Sequence, residues 1–404
     1  MNAMTSNAPF QPTQPHERIH LMDALRGFAL FGILVVNIWS FSRVEWLPAE
    51  QQTQHWLTDS LKILIETKFV TIFSMLFGAG FYLQQQRALA KGVNFPAYYT
   101  KRMLILFGIG CLHAYLFWFG DIVRNYALLG VALLTVRHLS AKATLRLALL
   151  FIGFLTPVTY ILRDAIGIHT NPDQVDGMPL ATYVFNAFTT GSYPQILRAN
   201  WIIDPWHNFM QDMPIALVLM FGRMLLGVWL AKIGFFRNPA TYQRLIRRWL
   251  WWGGTVGVSS SVAFWAIGTG RLAMDELYMI PVIFLVAGGL VLHSLFYVGL
   301  FIKSYSGFLG ALWQWSLVPV GRMGLTNYFS QTVLAFAFFY GTGVIGRLAP
   351  TTMLGCALGL FIVQVLLSRW WLSSHKSGPV EWAWRGLSYW VVGAKSAKAE
   401  PTES

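Results

Sequence analysis

The chain has 404 residues, of which 55% are hydrophobic and 12% are charged. The charged share is about half of that in a typical soluble domain, so the composition excludes an ordinary soluble protein and predicts an integral membrane protein. The net charge of +13 does not indicate a nucleic-acid partner, because Lys and Arg stand in small groups between apolar blocks rather than along one soluble face.

The apolar residues form blocks of about 15 to 25 residues, which is the length that a helix needs to cross the hydrocarbon layer. We therefore predict an all-α, polytopic helical bundle in the lipid bilayer, with about ten transmembrane helices. The predicted spans are residues 27–42, 64–84, 102–119, 122–136, 145–163, 213–231, 249–268, 279–301, 325–345 and 351–371. The apolar piece at 308–320 suits an interfacial or re-entrant segment, so nine or eleven spans also fit.

The N-terminal tail is polar and has no basic n-region or small-residue cleavage site, so the first apolar block is predicted to be a retained helix. Cys111 and Cys356 both lie inside apolar blocks, which indicates no disulfide framework. The predicted units are a polar tail at 1–20, a membrane bundle of five helices at 21–163, a loop at 164–212, a C-terminal membrane domain with an interfacial end at 213–390, and a disordered tail at 391–404.

Basic residues are concentrated in alternate loops. They are frequent between 87 and 102 and between 232 and 248, whereas the long loop at 164–212 is rich in Asp. Because Lys and Arg accumulate in short cytoplasmic loops, both termini are predicted to be cytoplasmic and the long loop to lie outside.

A histidine and an aspartate stand near the end of the third predicted span. His113 and Asp121 are eight residues apart, which is about 12 Å along a straight helix, but a turn at Gly120 would return the carboxylate to the imidazole. A histidine oriented by a carboxylate is suited to act as a general base or transient acyl acceptor. The alternative is that His113 bonds a neighbouring helix and that Asp121 is a solvated turn residue paired with Arg124.

Three polar residues are costly at their predicted depths. Arg26 begins the first apolar block and either snorkels to the boundary or binds an anion. Asn37 lies about 16 Å further along the same helix. Arg223 stands in the middle of a span and needs a partner, for which Glu66, Asp121 or a bound anion are candidates. The sequence has no zinc-binding spacing, phosphate-binding loop or nucleophile elbow, so no metal is predicted.

Four stretches resemble the YeiB family of bacterial inner-membrane proteins, which is catalogued as domain of unknown function 418. They are "LMDALRGFALFGILVVNI", "ETKFVTIFSMLFGAGF", "GCLHAYLFWFGDIVRNYALLG", and the C-terminal "GRMGLTNYFSQT" through "LLSRWWLSSHKSGPVEWAWRGLSY". The family is more distantly similar to transmembrane acyltransferases, which include the lysosomal heparan glucosaminide acetyltransferase and bacterial O-acetylases. The resemblance implies transfer of an acyl group from cytoplasmic acyl-CoA to an acceptor across the membrane.

The O-acetylases carry an Arg followed eleven residues later by His, a spacing that Arg26 and Asn37 meet here. An amide cannot act as a base, so that chemistry does not carry over. The resemblance to the glucosaminide acetyltransferase, which has Asn there and a histidine elsewhere, makes His113 the first candidate and His55 the second.

We therefore predict an acyltransferase acting on an extracytoplasmic glycan or small molecule. Arg26 and Arg322 are expected to bind the phosphates of acyl-CoA, and His113 to remove a proton while Asp121 orients it. The substrate path is expected to include Asn37, Glu66, Lys68, Arg124, Arg223, Asn327 and Gln331. The alternative is a transporter or exporter of a small solute that uses the same polar groups. The oligomeric state is left open.

Overall fold

The computed structural model describes residues 18–42, 55–162, 172–208, 213–273 and 275–396. These residues are almost entirely helical, and the predicted all-α class is confirmed. The α-helices are α1 (His20–Phe41), α2 (Trp56–Leu64), α3 (Lys68–Ala90), α4 (Phe95–Leu116), α5 (Val123–Ala132), α6 (Ala141–Leu150), α7 (Thr156–Leu162), α8 (Leu180–Thr189), α9 (Tyr193–Ile202), α10 (Pro205–Asn208), α11 (Met213–Lys232), α12 (Gln243–Trp252), α13 (Val258–Gly268), α14 (Glu276–Tyr305), α15 (Gly310–Arg322), α16 (Gly324–Thr342), α17 (Pro350–Ser374) and α18 (Pro379–Ser396). A small antiparallel hairpin pairs β1 (Gln174–Val175) with β2 (Met178–Pro179).

Two pairs of helices are continuous through a π-helical turn. Phe151–Leu155 joins α6 to α7, and Gly253–Gly257 joins α12 to α13. In the second turn Gly253 lies against the backbone of Leu292, and Gly257 lies against the backbone of His293. The absence of a side chain at these glycines therefore lets the turn approach α14 closely.

Among the residues that the structure describes, six helical stretches are long and apolar enough to cross a membrane. They are His20–Phe41, Trp56–Ala90, Ala141–Leu162, Met213–Lys232, Tyr278–Tyr305 and Pro350–Ser374. The prediction of a helical membrane protein is thus confirmed in its coarse form.

The other four predicted spans are helical but do not meet that criterion. They correspond to α4, to the apolar stretch Val123–Val136 that contains α5, to α12 with α13, and to α16. Val123–Val136 is apolar but is shorter than a membrane span. Polar side chains such as Arg102 of α4 and Asn327 of α16, both buried in the bundle, lower the hydropathy of their helices. The segment at 308–320, expected to be interfacial or re-entrant, forms most of α15.

Helix α1 lies at the centre of the bundle and packs against α3, α14, α15, α16 and α17. Gly27 of α1 lies against the backbone of Leu317, and Gly321 of α15 lies against the backbone of Asp23. Close approach of this kind requires small residues at the contact. The contact brings Arg26 and Arg322 to the same end of the bundle, where both line one cavity.

The segment predicted as a long acidic loop is folded in its described part, residues 172–208. Helices α8, α9 and α10 lie over the end of the α4–α5 hairpin. Tyr193 donates its hydroxyl to the Leu116 carbonyl over 2.9 Å, and the Trp206 indole donates to Asn125 Oδ1 over 2.8 Å. At the other end of the chain, residues 391–396 continue α18, while 1–17 and 397–404 fall outside the described residues.

Candidate functional site

A cavity of about 310 Å³ runs into the bundle between α1, α3, α4, α5, α15, α16 and α18. One end of it, which we call the basic mouth, is lined by Arg18, Arg26, Arg87, Arg102, Arg322 and Arg385. The walls further in are apolar and come mainly from Leu30, Ile33, Phe73, Phe77, Met103 and Leu106. The deep end is lined by Ile122, Val123, Tyr126 and Tyr328.

Two carboxylates line the cavity beside the six guanidinium groups. Asp23 Oδ1 accepts a hydrogen bond from Arg26 Nη1 over 2.7 Å. Glu381 of α18 instead accepts from the backbone N–H groups of Leu325 and Thr326, over 2.6 and 3.1 Å, and so caps the first turn of α16. Because the Glu381 carboxylate is already bonded to the start of α16, the basic mouth keeps a large excess of positive charge.

The arginines of the basic mouth are held by aromatic and backbone groups. Arg102 stacks over the Trp384 ring at 3.8 Å and donates to the Tyr98 hydroxyl over 3.1 Å, while its buried Nε has no described partner. Burial lowers the pKa of Arg18; Asp23 opposes this shift, and the neighbouring arginines add to it. Crowded cations of this kind suit a ligand with several negative charges, because guanidinium binds phosphate bidentately.

His113 and Asp121 meet beyond the deep end of the cavity. His113 lies in the last turn of α4, and the chain turns back at residues 117–122, so that its Nδ1 is 2.7 Å from Asp121 Oδ2. Both side chains are buried, at 4% and 5% exposure. The Asp121 carboxylate can only accept, so Nδ1 carries the proton, and the buried Nε2 is left as a base without a described hydrogen-bond partner.

A chain of buried charges holds Asp121 in place. Asp121 Oδ1 accepts from the Arg124 backbone N–H over 2.9 Å. The Arg124 guanidinium in turn forms a bidentate pair with Asp204, over 2.8 and 2.9 Å, and each of these two side chains is 1% exposed. Gly110 allows this arrangement, because a side chain there would contact both Asp121 and Arg124.

Tyr328 separates the cavity from His113. Its ring centroid is 5.4 Å from that of His113, and its hydroxyl accepts from the Ile122 backbone N–H over 3.3 Å. Both Tyr328 and Ile122 line the deep end of the cavity. Tyr328 therefore lies between the cavity and the His113 ring, next to Phe329, whose ring centroid is 4.6 Å from that of His113.

Two of the residues expected along the path lie in contacts between helices. Asn327 donates to the Val320 carbonyl and to Ser368 Oγ, and Gln331 donates to Gln364 Oε1 over 3.0 Å. Neither residue lines the cavity. In the part of the chain that the structure describes, these amides tie α16 to α17 and α15.

The remaining predicted residues are also separate from the cavity lining. Asn37 is half-buried on α1. Glu66, Lys68 and Arg223 do not line the cavity either, although Arg223 acts electrostatically on Tyr126, which does. His55 accepts from the Leu57 backbone N–H over 3.2 Å and caps α2. The described residues contain no group of three His, Cys, Asp or Glu side chains placed to hold a metal ion.

Several residues of the site escaped the sequence analysis. In the sequence, Arg87 and Arg102 indicate only a cytoplasmic loop, because the pattern of charged residues does not show that they line a cavity. Tyr328 lies within a stretch already singled out, but a tyrosine in an apolar helix is not unusual. Asp204 is 80 residues from Arg124, so only the folded chain reveals that they pair.

Comparison with known proteins places the chain among sequences that lack a described activity. Residues 230–391 match the family model described as protein of unknown function (DUF418). The chain is 29% identical to the uncharacterized protein YxaH of Bacillus subtilis, over 96% of this chain and 99% of that protein. It is 26% identical to the uncharacterized protein YeiB of Escherichia coli, over 95% and 99% of the two chains.

Proposed function

We propose that the chain, whose residues 230–391 match the DUF418 family model, transfers an acyl group from a cytoplasmic acyl-CoA to an acceptor on the other side of the membrane. The description of that family assigns no chemistry. The acceptor is a glycan or a small molecule with a hydroxyl or amino group. The observation that carries the proposal is the His113–Asp121 pair, whose unpartnered Nε2 lies behind the deep end of a cavity with a basic mouth.

The basic mouth supports acyl-CoA as the donor. Arg26 and Arg322, with the other arginines of the mouth, match the phosphates of the nucleotide. The apolar walls beyond them suit the pantetheine arm and the acyl chain. From Arg102 to His113 the rise along α4 is about 16 Å, so an extended thioester arm anchored at the mouth reaches towards the histidine.

The proposed reaction conserves atoms and protons. His113 Nε2 removes a proton from the acceptor, whose oxygen or nitrogen attacks the thioester carbonyl carbon. The C–S bond then breaks, and the thiolate of coenzyme A takes the proton back from the imidazolium. Asp121 orients the ring and stabilises its charged form. The Tyr328 hydroxyl accepts from Ile122, and its own proton is available for the oxyanion that develops on the carbonyl.

The proposal also includes the orientation of the chain in the membrane. With about ten spans, both termini in the cytoplasm and the protein in the bacterial inner membrane, the basic mouth opens to the cytoplasm, where acyl-CoA is found. The segment at 164–212 then lies outside, above the His113–Asp121 pair. The acceptor therefore approaches from the side opposite to the donor.

A transfer assay tests the proposal. Purified protein is reconstituted in liposomes with radiolabelled acetyl-CoA and an extract of bacterial envelope glycans, and both free coenzyme A and labelled glycan are measured. We expect His113→Ala to reduce transfer by at least 100-fold, on the order of a lost general base, and His55→Ala to leave it unchanged. Full transfer by His113→Ala would contradict the assigned role.

Solute transport is the second candidate, and one observation favours it. The helical stretch Trp56–Ala90 is interrupted at residues 65–67, and interrupted helices frame the binding sites of many transporters. Flux of a labelled organic anion into protein-containing liposomes in the absence of any acyl donor would support transport over transfer.

A further inference from the structure

The break between α2 and α3 is an unusual piece of backbone. Thr67 separates the two helices with a φ of 70°, a left-handed conformation that a β-branched residue rarely adopts. Tyr297 of α14 packs against the break, whose residues 65–67 are half-buried. It donates its hydroxyl to the Leu64 carbonyl over 2.9 Å and stacks on Phe69 with ring centroids 5.6 Å apart.

The first turn of α3 leaves donors unused. Thr67 makes no side-chain cap, and its buried Oγ1 lacks a partner among the described residues. The backbone N–H groups of Phe69 and Val70 likewise have no described hydrogen-bond acceptor. A helix start of this kind carries partial positive charge.

Two buried cations lie beside this turn. Lys68 is 0% exposed, and its ammonium makes one long contact, 3.4 Å, to the Lys62 carbonyl. Arg223 of α11 is 5% exposed, and its guanidinium has no hydrogen bond to any residue that the structure describes. The charges of Lys68 and Arg223 act on each other, and Glu66 is the carboxylate that acts on Lys68.

Charge therefore does not balance at this place. Two cations and the positive end of α3 face one carboxylate, and an unpaired charge inside a membrane protein is costly. Close packing of α3 against α11, where Gly78 and Gly227 lie on the backbones of Met224 and Met75, holds Arg223 in the bundle, so it cannot reach the surface. A bound anion neutralises the excess positive charge.

We propose that the first turn of α3, Lys68 and Arg223 form a second ligand site, which binds a compact monovalent anion such as a carboxylate or a halide. The site is separate from the basic mouth, because none of Thr67, Lys68 and Arg223 lines that cavity. Complete burial of Lys68 limits the ligand to a small one. The proposal does not depend on acyl transfer, since it follows from the charge and packing of these residues alone.

The test measures anion-dependent stability in the purified full chain. The unfolding temperature is followed in detergent at constant ionic strength while sodium gluconate, whose anion is too bulky for the site, is replaced by sodium acetate or sodium chloride. We expect the wild-type protein to gain about 2 °C or more at saturating anion. Lys68→Gln and Arg223→Gln should lose most of this gain. Arg198→Gln, which removes an exposed cation, should keep it.

Comparison of acetate with chloride shows which class of anion the site binds. A gain with acetate alone assigns a carboxylate site, and a gain with both assigns a general site for small anions. If Arg223→Gln does not fold, Arg223→Lys keeps the charge and should retain the gain. The proposal is overturned if the wild-type protein shows no gain, or if Lys68→Gln gains as much as Arg271→Gln, a second control at an exposed pair.

Discussion

Two arginine–aspartate pairs on the same side of the molecule show how burial decides what a residue contributes. Arg124 and Asp204 form a bidentate pair at 1% exposure, whereas Arg198 and Asp176 form one with both side chains about half exposed. The geometry of the pairs is similar. Because removing one partner of a buried pair leaves the other charge unpaired, the first pair is expected to matter far more for stability.

Asp204→Asn should lower the free energy of unfolding by about 3 kcal/mol, since the Arg124 guanidinium loses its counter-charge inside the protein. It should also reduce acyl transfer, because Arg124 holds Asp121. Asp176→Asn is the matched control and should lower the unfolding temperature only slightly. Thermal unfolding of both variants in detergent checks this, and equal shifts would show that burial is not the deciding factor.

The exposed pair has a defined pH dependence. A hydrogen bond from Arg198 lowers the pKa of Asp176 below its usual range. Its small contribution is therefore present above the unfolded-state pKa of an aspartate, about 4, and is lost as the pH falls through the lowered folded value. Wild type and Asp176→Asn should converge in stability as the pH falls through that lowered value, and their unfolding temperatures across pH 2 to 7 test this.

At the scale of helices, glycine contacts determine which faces meet. Gly78 of α3 lies against the backbone of Met224, while Gly108 of α4 has open space where a side chain would project. Gly78→Ala should destabilise the protein by about 1–3 kcal/mol, because neither backbone can move away without disturbing the α3–α11 contact. Gly108→Ala should be neutral or slightly stabilising in the same unfolding measurement. A neutral result for Gly78→Ala would mean that the two helices separate easily.

Helix α18 has a specific structural role. Glu381 accepts from the Leu325 and Thr326 backbone N–H groups and from Thr326 Oγ1, and Trp384 covers Arg102. Glu381→Ala should remove the cap of α16, at a cost of about 2 kcal/mol, and loosen the basic mouth. Binding of acetyl-CoA, measured by calorimetry, should weaken in this variant more than in Trp382→Ala, whose side chain is 72% exposed.

At the scale of the whole molecule, the proposed topology places the basic mouth and the segment at 164–212 on opposite sides of the membrane. In a background with Cys111 and Cys356 changed to Ser, a membrane-impermeant maleimide should label Ser192→Cys in intact spheroplasts. Lys142→Cys should be labelled only after permeabilisation, because its loop is predicted to be cytoplasmic. Labelling of Lys142→Cys from outside would reverse the proposed orientation.

Much of the fold was predictable because composition and the length of apolar blocks act locally. A 22-residue apolar stretch such as His20–Phe41 satisfies its own backbone only as a helix when it lies in hydrocarbon. The folded state of residues 172–208 was not predictable in this way. Its helices α8 and α9 are short and are held by contacts such as Tyr193 with Leu116, so their order depends on partners that are distant in sequence.

The candidate site was also predictable from the sequence only in part. Its histidine and carboxylate were found from the sequence, because an ionisable group in an apolar block is costly and the turn at Gly120 joins residues only eight positions apart. The basic mouth, the Arg124–Asp204 pair and the isolation of Arg223 depend on how each helix is rotated about its axis and which neighbour it faces. Those choices are made by packing between helices far apart in sequence, so only the tertiary structure decided them.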